Sequence, residues 1–256
     1  MEENKCDWKF SSFIFLVKFY RWWQRQKKRF WNPWTRWPPI GSIDFGDLRR
    51  LSPFSRNYGL DRGLPIDRYY IERFLQGHSS DIQGRALEIG DSRYIRTFGG
   101  EDVVAYDVLH VSVRKPEVTI IADLTSAEQI PADRYDCIIL TQTLQLIYRA
   151  GEAIKTAYRI LKPGGVVLAT FPGCSQINHP SPVEDWKDYW RFTKEAAQRL
   201  FEEVFPPAQI TVQAFGNALA AAAFLFGLAA EELSPEELDY HDPDYELLIA
   251  VRAVKK

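Results

Sequence analysis

Four hydrophobic runs in the middle of this chain end on short polar signatures: Glu88-Ile89-Gly90-Asp91, Tyr106-Asp107, Ala122-Asp123-Leu124 and Leu140-Thr141-Gln142. Carboxylates and amides at successive strand ends suit a nucleoside-type ligand lying across a parallel sheet, because they can accept hydrogen bonds from its hydroxyls and amine. Gly90 would let the backbone approach a ligand that a Cβ would block. Asp107 follows the first run by about twenty residues, the offset at which a carboxylate accepts from ribose hydroxyls. Asp123, with Leu124 beside it, can accept from an exocyclic adenine amine. Thr141 and Gln142 stand where the reactive end of the ligand would lie. Any one of these groups could be an ordinary helix cap. Four of them in this order are far more specific.

Such signatures need strands to carry them and helices to cover them. Hydrophobic patterning places strands near 85–90, 102–106, 118–122, 135–141 and 165–171, and helices at 66–76 and 150–161. Pro65 suits the first turn of the earlier helix and Gly77 its end. Leu161-Lys-Pro-Gly-Gly165 reads as a turn feeding the fifth strand. Helices near 193–204 and 217–232, and strands near 208–214 and 244–253, complete the chain, with Thr193 as a helix cap. This alternation predicts a doubly wound α/β sheet with helices on both faces.

The amino-terminal part has a different character. Residues 8–37 hold six of the eight tryptophans, and residues 1–40 carry nine basic side chains against three acidic ones, which leaves the body acidic. Lys18 and Arg21 interrupt the apolar stretch from Phe10 to Trp23, which is too short and too charged to span a bilayer. Wound as a helix it would be amphipathic, suited to an anionic membrane surface or to a protein partner. The basic residues occupy one short arm, so nucleic acid is not an expected partner. The expected division is an arm at 1–40, an irregular linker at 41–63 and an α/β domain at 64–256. Cys6, Cys137 and Cys174 are widely spaced and the four histidines show no ligand spacing, so neither a disulfide framework nor a metal site is expected.

Residues 64–172 resemble class I S-adenosylmethionine-dependent methyltransferases, particularly the type 11 group with Leu-Lys-Pro-Gly-Gly before the fifth strand. Asp188-Tyr-Trp-Arg-Phe-Thr193 is similar to a segment of methyltransferases of bacterial sugar and polysaccharide assembly. The resemblance implies a Rossmann-like seven-stranded sheet, order 3-2-1-4-5-7-6 with the last strand antiparallel, and S-adenosylmethionine as cofactor. It implies that Glu88 and Gly90 form the first motif, with Asp91 next to it, that Asp107 holds ribose and Asp123 adenine, and that Gln142 lies near the transferred methyl. The family's glycine-rich loop is absent; Asp91-Ser-Arg93-Tyr94 follows Gly90 instead. Arg93 or Arg62 could then pair with the cofactor carboxylate, and Tyr69 could help cover the cofactor.

An acceptor hydroxyl would need a general base, for which His179 and Asp188 are the candidates. Trp186, Tyr189 and Trp190, with Arg191, could hold a sugar face or a planar acceptor. The expected function is methyl transfer to a small-molecule or glycan-type acceptor. One rival is a methyltransferase-like scaffold without turnover. The other is a nicotinamide oxidoreductase, against which the missing glycines weigh. The expected location is the cytoplasm, peripheral at the inner face of the membrane if the arm binds lipid. The expected state is a monomer or, through the apolar 218–230 stretch, a homodimer.

Overall fold

The computed structural model describes residues 38, 40–112, 116–179 and 187–256. The arm at 8–37 and Trp186 therefore lie outside the described residues. The chain divides into compact units at Leu51, and residues 52–256 form the larger one.

Seven strands build its sheet: β1 (Gly84–Ile89), β2 (Val103–His110), β3 (Ile120–Ile121), β4 (Tyr135–Thr141), β5 (Leu161–Pro172), β6 (Ile210–Phe215) and β7 (Leu248–Val254). Their order is β3-β2-β1-β4-β5-β7-β6, the order the resemblance implied. β7 runs antiparallel to β5 and β6, and the other pairs are parallel. β5 is buried along most of its length, so Val166 to Phe171 alternate between two separate cores, whereas the edge strand β6 reads half-exposed.

Helices α1 (Ile66–Gly77), α2 (Arg93–Phe98) and α5 (Ala218–Leu225) cover one face, and α3 (Ala150–Ile160) and α4 (Lys194–Glu202) the other. A short α6 (Pro235–Asp239) follows α5. Ile66, Tyr70, Ile71, Phe74 and Leu75 make the apolar stripe that seats α1. Ala153, Ile154, Ala157 and Ile160 do the same for α3. Thr193 caps α4 through the Ala196 N–H (3.2 Å), as expected. Asn217 caps α5 through the Ala220 N–H (2.9 Å).

Four expectations about elements need correction. β2 runs on to His110, because Val108 and Leu109 remain buried beyond Asp107. β3 is only two residues long. The segment after Gly90, read as a loop, opens directly into α2. The helix expected over 217–232 stops at Leu225, where Gly227 (φ +69) turns the chain so tightly against Ser55 that no Cβ would fit. Residues 54–63 are irregular as expected but pack on the body: the Phe54 N–H bonds the Phe226 carbonyl (2.8 Å) and Arg62 pairs with Glu232.

Candidate functional site

A cleft of about 280 Å³ opens beyond the carboxyl ends of β1, β4 and β5. Its floor begins with Glu88, 1% exposed, whose two carboxylate oxygens accept the Tyr94 and Ile95 N–H groups at the start of α2 (3.1 and 2.9 Å). The strand end thus captures the amides that open the next helix. Burial pushes the Glu88 carboxyl up to about 7, against the opposing pull of those two bonds. Next comes Gly90, with φ +91 and its N–H on the Leu109 carbonyl (3.0 Å). A Cβ there would meet nothing within 4 Å, so the backbone is bare toward open space.

Asp91, Arg93 and Tyr94 continue this wall, Thr141, Gln142 and Gln145 form the wall beyond β4, and Ser175, Gln176, Asn178 and Asp188 form the wall beyond β5. Tyr58, Asp67 and Arg68 close the fourth side from the chain before β1. Six expected site residues therefore meet in one cleft: Glu88, Asp91, Arg93, Thr141, Gln142 and Asp188, with Gly90 adjoining.

Asp107 is not among them. It pairs in register with Leu87, in the body of β2, and is 8% exposed. Its Oδ2 accepts from Arg85 Nη2 (2.7 Å), Tyr135 Oη (2.9 Å) and Arg134 Nη2 (3.3 Å). Burial opposes its ionisation, but these donors win and hold the carboxyl below the usual range. The residue at the end of β2 is His110. Asp123 is exposed and closes a local turn, accepting the Thr125 N–H and hydroxyl (both 2.8 Å), while Leu124 is core. Arg62 forks onto Glu232 (Nε to carboxylate 3.0 Å) and Tyr69 donates to Asp239 (2.7 Å), both outside the cleft.

The two expected bases take different positions. His179 is exposed and does not line the cleft. Asp188 does, but Arg191 grips both its oxygens (2.7 and 2.9 Å) and the Asn178 N–H adds a third bond (2.8 Å). Burial opposes the ionised form, yet these bonds keep the carboxyl low, a poor state for taking a proton. Arg191, also bonded to the Gln176 carbonyl (2.6 Å), is committed to that pair. Tyr189 and Trp190 lie outside the cleft in a cluster with Tyr148: Trp190 stacks on it at 5.6 Å and Tyr189 meets it edge-on at 5.4 Å. Their backbone N–H groups both point to the Gln145 carbonyl (2.9 and 3.3 Å), so the cluster adjoins the cleft wall.

Other cleft residues had a plainer reading in the sequence, Asp67 and Arg68 as a solvated helix face. Asp67 sits in the first turn of α1, where burial lifts its carboxyl to about 6. Tyr58, with φ +57, lines the cleft with Gln176, and burial pushes its hydroxyl up in the field of Asp188 and Asp67. The Arg68 and Arg93 guanidinium groups line the cleft and make no hydrogen bond or ion pair among the described residues. Only the Gln142-x-x-Gln145 spacing carried a signal, that of two amides three apart after a strand end.

The family profile described as Methyltransferase domain matches residues 76–214, more than half of the chain. No curated protein sequence matches it. Among solved structures, a SAM-dependent methyltransferase from Thermotoga maritima is 18% identical over 75% of this chain and 92% of its own (TM-score 0.46). A SAM-dependent methyltransferase from Archaeoglobus fulgidus is 12% identical over 73% and 94% (TM-score 0.47). A phosphoethanolamine N-methyltransferase from Haemonchus contortus is 17% identical over 80% and 54% (TM-score 0.46).

Proposed function

This chain belongs to the methyltransferase-domain family with S-adenosylmethionine as its cofactor, and from that premise we propose methyl transfer to a small-molecule or glycan-type acceptor held in the cleft. The observation that carries the reading is the bare, left-handed Gly90 at the end of β1, beside the buried Glu88 carboxyl and facing open space. The cofactor, when bound, supplies an electrophilic methyl on a sulfonium. The chain's residues fit that group at its amino-acid end. Glu88 and Asp67 are carboxyls that a neighbouring ammonium or sulfonium would favour in their charged form. Arg68 and Arg93 supply guanidinium forks for its carboxylate. Arg93 thus keeps the role read in the sequence, with Arg68 taking the place of Arg62.

Much of the catalysis then rests on positioning, because an in-line displacement needs the acceptor held close and aligned. Asp67, half-buried and facing the cleft, is better placed than His179 or Asp188 to take a proton from an acceptor hydroxyl. Calorimetric titration with S-adenosylhomocysteine tests the cofactor half of this reading: wild type should bind it, Gly90→Val should not, and no binding by wild type refutes it. Release of S-adenosylhomocysteine in the presence of an acceptor tests turnover. A scaffold without turnover is the second reading, favoured by the commitment of Asp107 to Arg85 and Tyr135 and away from any ligand.

We propose the arm at residues 8–37 as a contact for an anionic membrane surface or a protein partner. Vesicles containing anionic lipid should retain the full chain but not one starting at Gly41; equal retention removes the membrane half of the idea. Among the described residues no helix is long and apolar enough to cross a membrane.

A further inference from the structure

Gln142 and Gln145 form a strained, half-satisfied amide pair in the cleft wall. Gln145 Nε2 donates to the Gln142 backbone carbonyl (2.8 Å) and to Gln142 Oε1 (3.0 Å). A backbone carbonyl can only accept, so the Gln145 nitrogen must face it, and Gln142 must turn its oxygen to that same nitrogen. This chain of bonds fixes which end of each amide is oxygen and which is nitrogen. What remains is one donor, Gln142 Nε2, and one acceptor, Gln145 Oε1, both buried and both without a partner.

Gln145 as a whole is 6% exposed and lines the cleft. Gln142 sits at φ +47, a left-handed conformation unfavourable for a side-chain-bearing residue, directly after β4. Strain and unsatisfied amides at one strand end are the pattern expected of a site that waits for a ligand.

We propose that this pair recognises a neutral hydroxyl group of the methyl acceptor, an inference that rests on the methyltransferase reading above. A hydroxyl both donates and accepts, and so satisfies Gln145 Oε1 and Gln142 Nε2 together once the amides turn toward the cleft. An ammonium would leave the Gln142 donor without an acceptor, and a carboxylate would repel the Gln145 oxygen. The chemical class selected is therefore an alcohol or polyol, in preference to an amine or an acid.

The test uses saturation-transfer NMR on the full chain loaded with S-adenosylhomocysteine, with glycerol and methyl α-D-glucopyranoside as hydroxyl probes and propylamine and propionate as contrasts. The hydroxyl probes should give signal and the contrasts none. Gln145→Leu removes the acceptor. Gln142→Gly removes the donor and relieves the left-handed strain, so it should unfold at a higher temperature than wild type while losing the hydroxyl probes. Both variants should bind S-adenosylhomocysteine within about twofold of wild type, since neither loses a bond to it, and the hydroxyl probes at least about tenfold more weakly.

Signal from propylamine or propionate in place of the hydroxyl probes overturns the inference and leaves the methyltransferase reading standing. So does unchanged probe binding by Gln142→Gly, or an equal loss of S-adenosylhomocysteine, which would put the pair on the cofactor. No binding of S-adenosylhomocysteine by wild type removes the parent reading itself.

Discussion

Replacing Glu88 by Gln separates the two things this carboxyl does, capping α2 and titrating in the cleft. The Glu88 carboxyl is raised from an ordinary 4.5 to about 7, with burial as the leading cause. The folded protein therefore holds this proton more tightly than the unfolded chain, and the stability contributed is fully present below about pH 4.5. It is lost progressively as pH rises, and is gone above about pH 7. At about 1.4 kcal/mol per pH unit the loss amounts to about 3 kcal/mol. The substituted amide cannot titrate, but its single oxygen can accept only one of the Tyr94 and Ile95 N–H groups, and the orphaned one costs about 1–3 kcal/mol. Glu88→Gln should thus be clearly less stable than wild type at pH 5, and the gap should close by about 3 kcal/mol between pH 5 and 8. Urea unfolding followed by circular dichroism at four pH values measures it. Asp67 titrates over part of the same window in both proteins and cancels in the difference. A gap that stays constant across the range would show that Glu88 is not held neutral by its burial, and the account of the cleft floor would fail.

Asp107→Asn should destabilise the fold by about 2–4 kcal/mol, because Arg85 and Arg134 lose their shared carboxylate. Its affinity for S-adenosylhomocysteine should stay near wild type; a stable variant that loses the ligand would restore the ribose role. Gly90→Ala should cost about 1–2 kcal/mol in urea unfolding from left-handed strain alone, and stability equal to wild type would contradict the φ of +91. Arg68→Met and Arg93→Met should each weaken S-adenosylhomocysteine binding about tenfold by calorimetry. Neither should affect 5′-methylthioadenosine, which lacks the carboxylate; equal loss of both ligands would exclude the guanidinium grip.

The strands were legible because most of them are apolar runs bounded by turn residues, so one missed boundary does not erase an element; their order came from the family resemblance. The site was less legible because it depends on single boundaries. Reading β2 as ending at Tyr106 put Asp107 at the strand end, and the four further residues to His110 moved it into the body of the sheet. The pairing of Asp107 with Arg85 and Tyr135 bridges three strands, and no local spacing encodes it. Asp67 carried the ordinary signature of an acid in a helix's first turn, a solvated face, whereas the fold brings it into the cleft lining beside Tyr58 and Arg68. Asp188 lines the cleft, and its pairing with Arg191, three residues on, is an ion pair that the residue types alone did not single out.

The loss of the glycine-rich loop does not by itself argue for a scaffold that has given up catalysis. Glycines in such a loop let backbone amides approach a ligand, and in this chain α2 begins at Arg93 with its first amides already taken by Glu88. What takes the place of those amides is charge: Arg68 and Arg93 on the cleft wall, beside carboxyls whose ionisation burial opposes. A relic under no demand would be free to relax these features, since a glycine in place of Gln142, an apolar residue in place of Gln145 and, above about pH 7, a neutral side chain in place of Glu88 would each remove an identifiable cost. The chain keeps all three costs, and concentrates them within one cleft at the ends of β1 and β4. Unfavourable local choices gathered at one place, in a fold otherwise consistent with its sequence, are the mark of a site held for binding or chemistry. That concentration favours turnover over the scaffold reading, and the hydroxyl probes bear on it directly, because a scaffold has no reason to hold Gln142 in a left-handed turn for an acceptor it never methylates.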